Sequence, residues 1–453
     1  MLGINDKNRR WWILTAMSGV LGLVVLDETV VGVALATIRS DLDMSQAASH
    51  WVVNAYLLTF TCFVAFGGRL GDSLGYGRFF VLGVTIFGLG SLASGFAPGG
   101  SWLITARAIQ GIGAAIIFPA SLAMITSIFP LEQRGMALGI QTTIAALFMS
   151  LGPLIGGFVS EVVSWRWIFW INLPVVVMIA LIELAAFVPS GQGNRSSSMN
   201  GLGSFDFRGL ITLIVGLSVL VIALMQGTEW GWSAPATLIL FFSGVVMIIL
   251  FTVTELRTSH PLIEIGLLRI ATFTGGNLVF FTFQFNKIAV FVFIALYLQD
   301  VLHMSPIKAG IALLIAVVPT LFTSLLSGKS ADRFGSRWPL LISLFLNGSA
   351  LVVVGIVTSF DNYALLIAPL IVWGATLPFI AVSARRALMN AVPKLKRGQA
   401  SGVNLTIQML GGTVGMALCG TLLLVTGDYR SLFLMTGVLT LITVLCVWLS
   451  VER

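Results

Sequence analysis

Apolar runs of span length follow one another along the whole chain, separated by short stretches that carry charge, Pro or Gly. A helix needs about 20 apolar residues to cross a bilayer, and runs bounded this way read as spans. Six fall near 11–35, 49–68, 78–97, 101–126, 135–160 and 166–188, and two near 208–227 and 235–256. Six more fall near 272–298, 306–327, 338–358, 362–384, 398–426 and 431–450. The pattern predicts 14 transmembrane helices with both chain ends on one side. One run contains an anomaly: "FTFQFNKIAVFVF" (281–293) holds Lys287 in the middle of a stretch fit for hydrocarbon. A charge in a span costs roughly 2.5–3.5 kcal/mol on insertion scales and marks a pathway or a site.

Composition agrees with lipid as the main solvent: of 453 residues, 57% are hydrophobic and 9% charged, where soluble proteins carry about 25% charged. The net charge of +7 does not point to nucleic acid, because the basic residues sit in short loops between the runs. With the N-terminus inside, 19 of the 25 Lys and Arg fall on the cytoplasmic side, four outside and two, Arg107 and Lys287, within spans. That bias predicts a multi-pass protein of the plasma (inner) membrane with both termini cytoplasmic. The first run reaches about Leu35, longer than the ~7–15 residues of a signal-peptide core, and reads as a retained span.

Cys62, Cys419 and Cys446 lie in apolar runs without metal-ligand or disulfide spacing. His50, His260 and His303 lie at span ends or in loops, with no nucleophile or metal constellation around them. No nucleotide-binding loop is present. An intramembrane enzyme and an ATP-driven pump are therefore poor readings, and neither cofactor nor metal is expected.

An internal repeat organises the runs. "GRLGDSLGYGR" (68–78) matches "GKSADRFGSR" (328–337), with Asp72 against Asp332, an offset of 260. "PLEQRGMALGIQ" (130–141) matches "PKLKRGQASGVN" (393–404) at an offset of 263. Residues 11–188 and 272–450 thus read as two copies of a six-helix unit, with the pair at 208–256 inserted after a Ser/Gly-rich linker (189–209). The expected organisation is an N-terminal bundle (1–190), a linker with two inserted helices (191–270) and a C-terminal bundle (271–453). The fold class is an all-α membrane protein, two six-helix bundles plus two linking helices. Parallel repeats of this kind describe the major-facilitator type of secondary transporter, with its site near the midplane. The offset of 260 carries Lys287 onto Asp27, so both are expected to face a central cavity from opposite sides. Snorkelling or local pairing of Lys287 stays open.

Motifs in the right order resemble the 14-span drug:proton antiporter family of the major facilitator superfamily over nearly the whole chain. They are "LDETVVGVALATI" (26–38), "GRLGDSLGYGR", "RAIQGIGAA" (107–115), "LGPLIGG" (151–157) and "WRWIFWINLP" (165–174). Gly32 and Ala36 stand where the family's first signature has Asn and Pro, Glu28 adds a second acid, and Lys287 lies outside the signature. The resemblance implies a proton-coupled exporter of amphipathic small molecules that works by alternating access, with Arg107 in a coupling role and Asp27 favoured as proton carrier.

The residues supply chemistry to match. Asp27 and Glu28 are intramembrane acids able to load and release a proton, but successive helical residues point ~100° apart, so both need not face the cavity. Arg107 stays charged, and Gln110, three residues on, shares its helical face. Asn54, Tyr56, Gln141, Gln284, Asn404 and Gln408 are candidates to line the cavity with Asp27 and Lys287, or equally to bond between helices. Gly152, Pro153, Gly156 and Gly157 permit close helix approach and bending. Gly68, Asp72, Gly75 and Arg78, with Gly328, Asp332, Gly335 and Arg337, sit at cytoplasmic helix ends and read as gating elements. The expected partners are protons, a small molecule and the bilayer, with no nucleic acid, and the chain is expected to act as a monomer. Asp27, Glu28, Arg107 and Lys287 sum to zero charge, so an anionic or zwitterionic metabolite, lipid or peptide engaging Lys287 stays open as cargo. A channel would not explain opposite charges at matched positions of two halves.

Overall fold

The computed structural model describes residues 8–74, 76–186, 206–258, 261–393 and 396–451. In hydrocarbon each backbone N–H and C=O must be satisfied within its own segment, and the described residues are accordingly helical, joined by short turns. The helices are α1 (Arg9–Asp41), α2 (Gln46–Leu74), α3 (Tyr76–Gly95), α4 (Gly100–Ile128), α5 (Leu131–Val162), α6 (Trp167–Trp170) and α7 (Asn172–Ala186). They continue with α8 (Phe207–Trp230), α9 (Pro235–Arg257), α10 (Ala271–Ile288), α11 (Pro306–Phe334), α12 (Arg337–Val357), α13 (Tyr363–Asn390), α14 (Arg397–Thr426) and α15 (Tyr429–Ser450).

Among the described residues, 12 helices are long and apolar enough to cross a membrane, and two further apolar stretches, Phe79–Gly95 and Trp167–Ile179, are shorter. The 14 runs of the sequence therefore correspond to 12 helices of spanning length and two short ones. The expected span at 166–188 is broken: α6 is one turn, the chain turns at Ile171, and α7 starts afresh at Asn172. Pro174 is tolerated there because it falls in the first turn of the new helix, where its missing N–H has no partner to lose.

Packing repeats between the two halves of the chain. α1 packs on α5 and α7, α2 and α3 on α4, and α3 on α7. In the same relations α10 packs on α14 and α15, α11 and α12 on α13, and α12 on α15. Two cross contacts, α5 with α11 and α14 with α2, exchange under the same correspondence. α8 pairs with α9 and leans on both α2 and α14, where Thr421 Oγ1 donates to Leu224 O at 2.7 Å.

The sixth-last span holds a feature its apolar pattern hides. α10 stops being α-helical at Ile288 and passes into π-helical turns at Ala289–Ile294 and Tyr297–Val301. Such turns gather at functional sites, and this one begins just after Lys287. It lies against α1 at Gly32, where a Cβ would sit 2.9 Å from Phe291 O. A side chain at that position, such as the Asn of the family signature, would hold the two segments apart.

One end of the bundle, marked by Arg39, is closed. Arg39 bridges to Asp300 at 2.8 Å, and Arg166 to Asp41 at 2.8 Å. α5 meets α11 there: Gly157 abuts the Pro306 carbonyl, Gly310 abuts the Pro153 carbonyl, and Ile307 N donates to Glu161 Oε2 at 2.8 Å. At the other end, which carries both ends of the described chain, a Cβ at Gly139, Gly328 or Gly402 would meet nothing within 4 Å.

The α5–α11 contact leaves no room for a side chain. Gly157→Leu is expected to part the helices at the Arg39 end and to destabilise by about 1–3 kcal/mol, the usual range for overpacking. Disulfide cross-linking between cysteines placed at Glu161 and Ile307 should be fast in the parent and lost in this variant; equal rates would show that the contact is absent.

Candidate functional site

Asp27 and Glu28 lie near the middle of α1, both buried. Being successive, they leave the helix in different directions, and the structure gives each its own cation. Asp27 turns into its own half: its Oδ2 accepts from Arg107 Nη1 on α4, and its Oδ1 accepts from Gln110 Nε2 at 3.0 Å. Glu28 turns across to α10, where its Oε2 accepts from Lys287 Nζ at 2.5 Å and from Gln284 Nε2 at 3.4 Å.

The first pair is held from several sides. Arg107 and Asp27 are each 1% exposed, so neither can turn to water for compensation. Arg107 also donates from Nε to Val52 O at 3.0 Å and from Nη1 to Gln110 Oε1 at 2.7 Å. Its guanidinium lies 4.3 Å from the Tyr56 ring centroid, a favourable cation–π contact. Beyond Gln110 the network runs to Ser91: Gln110 Nε2 at 3.4 Å and Asn172 Nδ2 at 2.9 Å both donate to its Oγ. Removing one member of such a buried pair costs about 3–5 kcal/mol, because the other charge is left stranded.

The second pair joins the halves, and here one expectation needs correcting. The offset of 260 matched Lys287 with Asp27, whereas the residue facing Lys287 is Glu28, at a separation of 259. The loop motif that set the offset lies one helix further along, and one residue of slip accumulates between it and the middle of α1. With the offset at 259, Asp27 corresponds to Asn286. Asn286 likewise turns into its own half, donating to Thr440 Oγ1 at 2.7 Å and to Asn347 Oδ1 at 3.4 Å. Asn347 in turn donates to Thr376 Oγ1 at 2.8 Å. Each half thus has one polar network of its own, ionic around Asp27 and neutral around Asn286. Glu28 and Lys287, matched residues of opposite halves, meet between them. A two-fold relation brings matched positions together at its axis.

The other candidates divide by location. Gln284 accepts from Gln408 Nε2 at 3.5 Å, which attaches α14 to the Glu28–Lys287 cluster. Tyr56 and Gln110 belong to the Asp27 cluster. Asn404 bonds to Asn277 Oδ1 at 3.1 Å and Gln141 to Ser121 Oγ at 3.4 Å, both away from the two ion pairs. Asn54 turns to α8, with Nδ2 2.6 Å from Met225 S. Gly152 and Gly156 lie against α1, at Thr29 and at the Val30 carbonyl, while Pro153 and Gly157 face α11. Among the helix-end residues, a Cβ at Gly68 would lie 3.8 Å from Pro119 Cβ, Asp332 pairs with Arg386 on α13 at 2.7 Å and Gly335 ends α11 at φ +72. Arg337 Nη2 donates to Trp448 O at 2.9 Å. Gly75 and the side chains of Asp72 and Arg78 lie outside the described residues.

Sequence reasoning passed over Ser91, Asn172 and the Asn286 network. Serine and threonine in apolar runs carry no signal by themselves, but Asn286 adjoins Lys287 as Asp27 adjoins Glu28, and the one-residue correction would have found it. No group of His, Cys, Asp and Glu able to hold a metal occurs among the described residues.

Comparison with known proteins agrees with this geometry. The family model described as Major Facilitator Superfamily matches residues 17–280 and 276–453. The multidrug resistance protein Stp of Mycobacterium tuberculosis is 30% identical over 417 residues, covering 91% of this chain and 76% of that protein. A puromycin resistance protein of Streptomyces alboniger is 31% identical, with 91% and 82% covered. The cephamycin export protein CmcT of Amycolatopsis lactamdurans is 32% identical, with 90% and 83% covered. Among solved structures, a D-xylose–proton symporter superposes with a TM-score of 0.70 at 14% identity, covering 98% of both chains, a likeness of fold alone. With its repeated helical packing and its charges buried between and within the halves, the chain is a membrane transporter belonging to the Major Facilitator Superfamily.

Proposed function

We propose that this transporter exports amphipathic small molecules in exchange for protons, by alternating access. The observation that carries the reading is the Asp27–Arg107 pair, a buried carboxylate held by a cation inside one half of a two-fold helical bundle. The names of its relatives, resistance and export proteins for multiple drugs, puromycin and cephamycin, support the direction and the cargo class.

Protonation changes Asp27 from acceptor to neutral acid and weakens its hold on Arg107. Arg107 retains Val52 O and Gln110 Oε1 as partners, so the cation stays in place while the acid gives up its proton. The basic-residue bias supports both termini, and with them the end opposite Arg39, on the cytoplasmic side of the plasma membrane. The Arg39 end is then external, and the chain faces the cytoplasm. Opening outward requires Arg39–Asp300 and the α5–α11 contact to part. The gating role proposed for Gly68, Asp72, Gly75, Arg78, Gly328, Asp332, Gly335 and Arg337 belongs to the cytoplasmic ends that close in exchange. We also infer 14 spans, with the short stretches Phe79–Gly95 and Trp167–Ile179 completing six-helix bundles in 1–190 and 271–453 around an inserted pair in 191–270. The repeated packing supports that division.

The deciding experiment is uptake of a fluorescent substrate panel into everted vesicles with and without a pH gradient. Asp27→Asn is expected to reduce gradient-driven uptake to the level of vesicles lacking the protein; full uptake by that variant would remove Asp27 as the proton carrier. Arg39→Ala should favour the outward-open state only modestly, since a half-exposed pair is worth about 0.2–1 kcal/mol, at most about a fivefold shift. External labelling of a cysteine at Ile307, on the same α5–α11 contact, would report it, and an all-or-none response would contradict that assignment.

A further inference from the structure

The two buried ion pairs differ in place: Asp27–Arg107 lies within one half, and Glu28–Lys287 joins the two halves. Both oxygens of Asp27 and three hydrogen bonds of Arg107 are committed. In the second pair Lys287 gives a single hydrogen bond, to Glu28 Oε2, and both bonds that Glu28 accepts fall on that same oxygen. The ammonium has three donors and a carboxylate about four lone-pair sites, so both groups keep capacity. The Lys287 side chain is 9% exposed where that of Asp27 is 0%, so the pair between the halves is the less fully enclosed of the two. The cluster also offers the amides of Gln284 and Gln408.

Charge balance then restricts the cargo. A cationic cargo that takes Glu28 strands Lys287, and an anionic one that takes Lys287 strands Glu28; either leaves a buried ion unpaired, at several kcal/mol. A molecule that carries an ammonium and a carboxylate together replaces both partners at once and leaves the site neutral. We propose that Glu28 and Lys287 are the headgroup site for a zwitterionic amphiphile, its ammonium on Glu28 and its carboxylate on Lys287. The proposal rests on reading the α1–α10 interface as part of the cargo path and adds the charge type of the cargo. Residues 280, 284 and 287 fall on one face of α10. At the Phe280 end of that face the Arg385 guanidinium lies 5.1 Å from the ring centroid, with no ion pair to an acid among the described residues.

The test uses Nε-dansyl-lysine, which is zwitterionic, with its methyl ester (cationic) and its Nα-acetyl derivative (anionic). Binding to the purified full chain is read in detergent by dansyl fluorescence, with no gradient present. The wild type should bind the zwitterion at least about tenfold more tightly than either derivative, a difference of about 1.4 kcal/mol. Glu28→Gln should move the preference to the anion, and Lys287→Met should move it to the cation. The double variant holds no stranded charge and so remains informative if a single variant fails to fold; it should show no preference. An unchanged order of affinities in the folded variants, or no binding of the zwitterion by the wild type, overturns the proposal. Gradient-driven uptake is measured separately in vesicles. Its failure beside an intact charge switch defeats the proton-exchange reading and leaves the headgroup site standing.

Discussion

Two carboxylates on consecutive residues of a buried helix impose the constraint around which the rest of this protein is arranged. Neither can stay ionised in a low-dielectric interior without a cation within hydrogen-bond reach, and the helical turn between them prevents one cation from serving both. Asp27 is met by Arg107 from α4 and Glu28 by Lys287 from α10. The placement of α4 against α2, which brings Val52 O and Tyr56 to the guanidinium, and the approach of α10 to α1 both follow from that requirement. Four charges are thereby buried as two neutral pairs of different character: one closed within a half, the other spanning the boundary between halves.

The boundary pair depends on backbone proximity that small residues make available. Gly32 admits the carbonyl of Phe291 beside α1, and the π-helical turns after Ile288 shift the following side chains relative to an α-helix. Gly157 and Gly310 do the same for α5 and α11 at the Arg39 end. These contacts, with Arg39–Asp300, join the two halves tightly at one end. A two-fold arrangement can exchange which end is tight by rocking one half against the other, because its cross contacts, α5 with α11 and α14 with α2, are equivalent under the repeat. α8 touches both sides of the second seam, so the inserted pair rides on the junction instead of lengthening either bundle.

Asn286 shows how far the halves have diverged around a common plan. It occupies the position of Asp27 and turns into its own half in the same way, but bonds to Thr440 and Asn347 and carries no charge. The ion pair within a half is thus confined to one half, while the other keeps a neutral polar network at the matching place. The asymmetry is chemical, laid over a symmetric scaffold.

The sequence by itself determined the all-helical class, the repeat, and the four buried charges, because hydrocarbon demands long apolar runs and makes each exception conspicuous. It also identified "LGPLIGG" as a place of close packing, since glycine repeated on one helix face has little other use. What it left undecided was which charge meets which. A shift of one residue turns a helical side chain by about 100°, so an offset read from a loop motif was enough to exchange Asp27 for Glu28 as the partner of Lys287. The break of the sixth run at Ile171, the π turns after Ile288 and the turning of Asn54 toward α8 were likewise settled by neighbours distant in the chain. Pattern fixes which residues are buried in a membrane; direction and partner come only from the helices packed around them.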